Sequence, residues 1–251
     1  MAFYDLPKQE RVAVVETIQK KLLSELKAGV EKQTRLYFSD EDTYIRKSAY
    51  LSLGRIYFAH AEHQEKIIRL LHHLLTADDF KIRQTVINSA GEIGKKYFEI
   101  VKPVFDISLF DKHHAPRNAV IGSIKKMGAV NPLPVLKWAQ QYLHHSNPEI
   151  RREICHGIEL RGRTHPEDIL PLLQELQFDT KARVRNNLVH VIGQIAYKKG
   201  CLQTVITHLK KWENQELVQD ALAEIIDVHE RYKDFSFLTQ AQAQHYISLH
   251  F

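Results

Sequence analysis

The sequence predicts an all-α fold, a right-handed α-solenoid of about six helix–turn–helix repeats with a period of 34 residues. Glycine and proline number only 10 and 8 among 251 residues, too few for a turn-rich sheet protein. An apolar residue followed by arginine recurs at spacings of 37, 34, 34 and 34 residues, in Ile45-Arg46, Ile82-Arg83, Pro116-Arg117, Ile150-Arg151 and Val184-Arg185. The register continues for a further 34 residues to Val218-Gln219.

Each recurring pair opens an amphipathic helix, which we term an anchored helix. Apolar residues stand three, four and seven positions after each arginine, which is the buried stripe of a helix. The column at three positions reads Ala49, Val86, Val120, Ile154, Leu188 and Leu222. Polar turns such as SDED at 39–42 and TADD at 76–79 precede these helices and offer N-caps.

A second apolar helix lies between successive anchored helices, and we term it an intervening helix. Examples are 64–75 and 132–143. Pro132 follows Asn131 at one predicted helix start, and Thr164-His165-Pro166-Glu167 predicts a capping box at another.

This unit resembles the HEAT-like repeat, in which an acid or amide is followed by an apolar-arginine pair that opens the second helix. Tetratricopeptide repeats share the period of 34 residues, but their Trp-Leu-Gly-Tyr pattern and closing proline are missing here. We expect a single HEAT-like domain over 1–251, with an N-terminal helical cap at 1–40, repeats at 41–232 and a C-terminal cap at 233–251.

Composition excludes several classes of protein. A mean hydropathy of −0.34 and 44% hydrophobic residues are ordinary for a globular chain. No apolar stretch reaches the roughly 18 residues of a membrane span, and the N-terminus is charged where a signal peptide would be apolar. We therefore expect a cytoplasmic protein without a membrane partner. The two cysteines form no CxxC pair, and Cys155, in an apolar column, is expected to be an inert core thiol.

Basic residues concentrate in the repeats. Residues 41–200 contain 24 basic and 17 acidic residues, whereas 201–251 contain 4 and 7. The face opposite the apolar stripe carries cations, imidazoles and amides, a pattern that suits a phosphate backbone. The DNA-binding residues that we predict are Lys95, Lys125, Lys126, Arg152, His156, Arg163, Asn186, His190, Lys198 and Lys199. The alternative is that cations at helix ends only complement the helix dipole.

Other recurring polar residues favour a structural role. The anchor arginines are expected to pair with acids or carbonyls of neighbouring turns and so join repeat to repeat. His156 and His190 share a column and should lie close together, but two imidazoles without a third ligand make a poor metal site. The chain has no P-loop, GxGxxG, GxSxG or kinase signature, so we expect no small-molecule cofactor and no metal.

Residues 136–232 resemble the HEAT-like DNA alkylation repair family, which excises alkylated purines from duplex DNA. The resembling segments are LKWAQQYLHHSNPEIRRE, ILPLLQELQFDTKARVRNNLVHVIGQIAYKKG and VITHLKKW. The resemblance implies duplex DNA as partner and, if the chain is an enzyme, a glycosylase acting on alkylated purines. The carboxylates available for that chemistry are Glu159 and Glu92, with His156 and His190 as polar partners.

The chain departs from that family at the expected acid, because ICHGIELRGR places His156 there and Glu159 three residues later. Trp138 and Trp212 fall on intervening helices rather than on anchored ones. The alternative hypothesis is a non-catalytic scaffold that binds a protein partner. Acids on the same face balance its cations and would suit such a partner; they are Glu92, Glu159, Asp220 and Glu224.

Overall fold

The predicted amphipathic segments form helices throughout. The computed structural model describes residues 2–251, which contain thirteen α-helices, two short 3-10 turns and no β-strand. The chain divides into two compact units, one ending at Asn131 and the other beginning at Pro132. No helix in residues 2–251 is long and apolar enough to cross a membrane.

The first unit contains six helices. They are α1 (Lys8–Ala28), α2 (Lys32–Ser39), α3 (Thr43–Ala59), α4 (Gln64–Leu74), α5 (Phe80–Ser108) and α6 (His114–Val130). The backbone of α5 leaves helical geometry at Tyr97, with φ −126° and ψ 62°. The part of α5 before Tyr97 is thus an anchored helix and the part after it an intervening helix, joined without a loop. Helices α3 and α6 both pack against α5.

The second unit contains seven helices. They are α7 (Pro132–Gln140), α8 (Pro148–Gly162), α9 (Pro166–Gln174), α10 (Ala182–Ala196), α11 (Cys201–Leu209), α12 (Gln215–Arg231) and α13 (Gln240–His250). The anchored helices α8, α10 and α12 pack in that order, and α13 covers α12. The segment 233–251, predicted as a cap, supplies α13.

The apolar column three positions after each anchor is buried in both units, with Leu222 the most exposed member at 5%. The column at four positions is less regular. Cys155 is fully buried, but Ala223 of α12 is exposed. No further anchored helix follows α12, and α13 packs against α12 in that place.

Helix starts follow the polar turns. Asp42, Asp79 and Asn147 each accept a hydrogen bond from the backbone N–H two residues on, at 2.8 to 2.9 Å. Helix α9 begins at Pro166 as predicted, but the predicted capping box is wrong. Its N-cap is His165, whose side chain makes no capping hydrogen bond. Proline tolerates this position because it has no N–H to satisfy.

Two of the anchor arginines, Arg83 and Arg151, join successive turns, as predicted. Arg83 donates from Nη1 to the carbonyls of Ala77 and Asp78, both at 2.8 Å, within the turn before its own helix. Its Nε and Nη2 bind the two carboxylate oxygens of Asp111, 28 residues on, at 2.7 and 3.0 Å. Both side chains are buried, which makes this a fully ordered, bidentate pair.

The second unit repeats this arrangement, which we term the arginine clamp. Arg151 binds the carbonyls of His145 and Ser146 at 2.7 and 3.2 Å, and Asp179 at 2.5 and 2.9 Å. Arg185 differs, because it binds the exposed side chains of Asp220 and Glu216 on α12, each at about 3 Å.

The clamp is expected to contribute more stability than its exposed counterpart. Asp179→Asn leaves the Arg151 charge without its buried partner and should lower the free energy of unfolding of the second unit by about 3 kcal/mol. Asp220→Asn, which removes an exposed partner of Arg185, should cost less than about 1 kcal/mol. Urea unfolding of both variants measures this, and equal losses would contradict the distinction.

Acid should weaken the same clamp. Burial alone would raise the pKa of Asp179, but hydrogen bonds from Arg151 and from the Lys181 N–H outweigh it and lower that pKa. The pair therefore stabilises the fold above the unfolded-state pKa of about 3.9 and ceases to do so as pH falls through the folded-state pKa. The difference between wild type and Asp179→Asn should be full near neutral pH and should shrink below about pH 4. Urea titrations across this range test it; a difference that grows in acid would refute it.

Candidate nucleic-acid interface

The first unit gathers cations on three adjacent helices. Lys47 lies on α3, Lys95 on α5 and Lys126 on α6, and we term these three the lysine cluster. The Nζ of Lys95 pairs with Glu92 Oε2 at 2.5 Å. The Nζ of Lys126 lies 5.5 Å from the ring centre of Tyr50. Lys125, also predicted to bind DNA, is half-buried beside Lys126.

A glycine allows α5 to approach α3 closely at this cluster. A Cβ added at Gly54 would stand 2.9 Å from the Cβ of Glu92, closer than real Cβ contacts. Only glycine therefore leaves room for the Glu92 side chain between the two helices. The Glu92 carboxylate is consequently mostly covered, with 13% of its side chain exposed.

The lysine cluster carries more positive charge than its acid neutralises. Partial burial lowers the pKa of Lys126, and the charges of Lys95 and Lys47 lower it further, while Glu92 opposes them. Burial and the Glu92 charge raise the pKa of Tyr50, so its phenol stays protonated at neutral pH. An anion placed here would relieve the repulsion between the lysines.

The second unit places the other predicted catalytic carboxylate in its interior. Glu159 on α8 is only 1% exposed. The guanidinium of Arg163 binds its Oε1 through both Nε, at 3.0 Å, and Nη2. His156 Nε2 lies 3.3 Å from Glu159 Oε2, and Arg163 Nη2 also reaches Gln194 Oε1 at 2.9 Å. This geometry makes Glu159 the centre of a buried ion-pair network.

The two column histidines meet, as predicted. The rings of His156 and His190 are 6.4 Å apart in an edge-to-face arrangement. His190 Nδ1 lies 3.6 Å from Glu224 Oε1, and Glu224 also pairs with Arg231 at 3.1 Å. Within residues 2–251 no group of three or more His, Cys, Asp or Glu side chains is arranged to hold a metal ion.

Two further cations lie at the end of α10 beside aromatic rings. Lys198 Nζ is 4.4 Å from the ring centre of Tyr197, and Lys199 Nζ is 5.7 Å from that of Phe237. Tyr197 is buried and stacks on Tyr232 at 5.4 Å between ring centres. Packing against these rings orders the lysine stems while their ammonium groups stay accessible.

The remaining predicted residues differ in their surroundings. Arg152 is paired with Glu149, at 3.1 and 2.6 Å, so its charge is already balanced. Asn186 is exposed near the start of α10. Trp138 and Trp212 are both 1% exposed and belong to the core. Cys155 is fully buried, which confirms the core position that its column predicts, and desolvation raises the pKa of its thiol to about 12.

Sequence reasoning missed the aromatic partners of the lysines. Tyr50 stands in an apolar column, four residues after an anchor arginine, and is therefore read as core. Phe237 lies beyond the repeats. Neither contact has a local sequence signal, because each joins residues about 40 or more positions apart. Gln194 falls on the polar face of its anchored helix in the sequence, but the structure buries it and its Oε1 accepts a hydrogen bond from Arg163.

The helix pairs, anchor arginines and buried columns define an all-helical HEAT-like fold. Among solved structures, AlkD2 from Streptococcus mutans is similar, with 17% identity and a TM-score of 0.54 over 75% of this chain and 94% of that one. A structure of crescerin, which uses a TOG domain array to regulate microtubules in the primary cilium, has 21% identity and a TM-score of 0.52, over 80% of this chain and 88% of that one. No family model and no curated protein matches the chain.

The buried network predicts a specific pattern of stabilities. Arg163→Met removes the guanidinium that binds the buried Glu159 carboxylate and should lower the free energy of unfolding by about 3 kcal/mol. Adding Glu159→Gln removes the charge that needed a partner, so the double variant should recover part of that loss. Urea unfolding of the two single variants and the double variant measures the coupling. Additive losses would show that the pair is not coupled.

Proposed function

We propose that this chain binds duplex DNA through lysines on its anchored helices and is related to the DNA alkylation repair proteins that residues 136–232 resemble. The lysine cluster carries this proposal, because Glu92 is already paired with Lys95 while the charges of both Lys95 and Lys47 act on the ammonium group of Lys126. Partial burial is the main cause of the lowered pKa of Lys126, and the charges of Lys95 and Lys47 lower it further. A phosphate backbone supplies the missing negative charge and releases counterions on binding.

The end of α10 supports the same reading in the second unit. Lys198 and Lys199 have no acidic partner within residues 2–251, and the aromatic rings beside them limit the entropy lost when they bind an anion. Cations at a helix end also complement the helix dipole, but that role requires no ordered aromatic contact. The fold shared with AlkD2 is in keeping with the resemblance.

The surroundings of the acids favour binding over base excision. Glu159 is buried and bound by Arg163, so a sugar could not approach it without local opening. Glu92 is the more accessible of the two predicted catalytic carboxylates, but it is paired with Lys95. Both tryptophans are core residues and cannot stack on an extruded base.

DNA binding should depend steeply on salt. Fluorescence anisotropy with a labelled duplex, measured between about 50 and 200 mM salt, should show an affinity that falls with a slope of roughly −0.9 per phosphate contact. Reversing Lys125 and Lys126 to Glu should weaken binding and reduce that slope by about 2. Reversing Lys198 and Lys199 should act in the same direction.

A matched control exists on an intervening helix. Lys210 and Lys211 form an equally charged, exposed doublet at the end of α11, and their reversal to Glu should leave the salt slope nearly unchanged. If all three double variants lost the same DNA affinity, the effect would come from net charge and not from the position of the lysines. Absence of DNA binding at low salt, together with a partner protein that stays bound after nuclease treatment, would favour the scaffold alternative.

An alkylated duplex measured beside the plain one tests the link to repair. We expect tighter or equal binding of the alkylated duplex, without release of the alkylated base above a heat-inactivated control. Base release that Glu92→Gln abolishes and Glu159→Gln leaves intact would instead assign a glycosylase and identify its carboxylate.

A further inference from the structure

A small cavity opens beside the lysine cluster, between α3 and α5. It has a volume of about 250 Å³, and we term it the Tyr50 notch. Its lining residues are Thr43, Tyr44, Arg46, Lys47, Tyr50, Gln84, Thr85 and Asn88. This volume is below the roughly 300–1,000 Å³ of pockets that hold whole small molecules, so the notch suits a single chemical group.

Tyr50 presents an unused hydrogen-bond donor to the notch. Most of the residue is buried, but its hydroxyl remains accessible to solvent and makes no hydrogen bond to another residue within 2–251. A phenol hydroxyl that no protein group occupies is free to donate to a ligand at the mouth of the notch. Since burial raises the pKa of Tyr50, the phenol is a donor rather than an anion at neutral pH.

The charges around the notch favour an anionic partner. Lys47 lines it and has no acidic partner within the part of the chain that the structure describes. Lys126 lies over the ring that carries the hydroxyl, at 5.5 Å from its centre. Two acids of this region are already engaged, because Glu92 is bound to Lys95 and Asp42 accepts hydrogen bonds from the backbone N–H groups of Phe3 and Tyr44. Amide groups of Gln84 and Asn88 add further polar contacts along the same wall.

We propose that the Tyr50 notch binds a phosphate group, with the Tyr50 hydroxyl as donor and the ammonium groups of Lys47 and Lys126 as the balancing charges. The source that we favour is a phosphodiester of the DNA backbone, so this inference rests on the proposed function. Free phosphate has the same chemistry and is the second source. Tyr50 would then be a neutral contact that positions the backbone, beside the lysines that supply affinity.

Two substitutions separate the donor from the charge. Tyr50→Phe removes one oxygen and keeps the ring under Lys126, so it should weaken DNA binding about three- to tenfold while the salt slope stays unchanged. Lys47→Gln should weaken binding and reduce the slope by about 0.9. Controls are Tyr57→Phe, a buried tyrosine on the same helix, and Lys66→Gln, an exposed lysine on α4.

A titration with inorganic phosphate tests the notch independently of DNA. In ¹⁵N–¹H spectra of the intact protein, phosphate should shift amide signals of residues lining the notch in wild type and not in Tyr50→Phe. Near-native spectra and unfolding midpoints of Tyr50→Phe serve as its check for folding.

The two proposals can fail separately. If wild type binds DNA but Tyr50→Phe binds equally well, the notch inference is overturned and the proposed function remains. If wild type fails to bind DNA while phosphate still shifts the notch amides through Tyr50, DNA binding is overturned and a free-phosphate site remains. If phosphate shifts no notch amide and DNA is not bound, both are overturned.

Discussion

The arginine clamp is the interaction on which the rest of each unit depends. Arg83 and Arg151 each hold the carbonyls of their own turn and, through a bidentate pair, an aspartate 28 residues on. The pair is buried, so its geometry is strict, and an arginine without its aspartate would be costly. By joining consecutive turns, each clamp sets the register of an anchored helix against the next. That register decides which side chains of neighbouring helices meet, including Ser123 against Gly91 and His190 beside His156.

The position eight residues after the anchor arginine shows how one column serves two purposes. Gly54 and Gly193 stand there, and the side chains of Glu92 and Glu224 on the next anchored helix occupy the space that a Cβ would fill. In α8 the same column holds Glu159, which is buried and bound by Arg163. A small residue thus admits an acid from the neighbouring helix, whereas an acid in the column needs an arginine of its own. In both cases the carboxylate ends up covered and paired, which explains why acids that look exposed on a helical wheel are not.

The helices, their anchors and the buried stripe follow from the sequence, because a period of 34 residues and the spacing of apolar residues are local signals. That the anchor arginines bind acceptors in neighbouring turns was also predictable, since a recurring arginine needs an acceptor nearby. The burial and pairing of the candidate site residues could not be predicted. Whether Glu159 is exposed depends on how closely α8 and α10 approach, and the ring beneath Lys126 comes from a helix two anchors earlier in the chain. The capping box is wrong because the N-cap is His165 rather than Thr164, and the N–H of Asp168 bonds to the backbone carbonyl of His165 at 3.2 Å.

Charge location, rather than the net charge of +5, separates the basic residues that can bind a polyanion from those that hold the fold together. Arg83, Arg151 and Arg163 are fully engaged with carboxylates, and recruiting them to a phosphate would leave a buried acid unpaired. Lys126 and Lys198 lie instead against aromatic rings, which order the side chain without neutralising it. A cation held in this way loses little entropy on meeting a phosphate and gives up no ion pair. These arginines therefore stabilise the fold, because buried acids already bind them. The lysines that lie against aromatic rings have no such acid and can bind an anionic ligand.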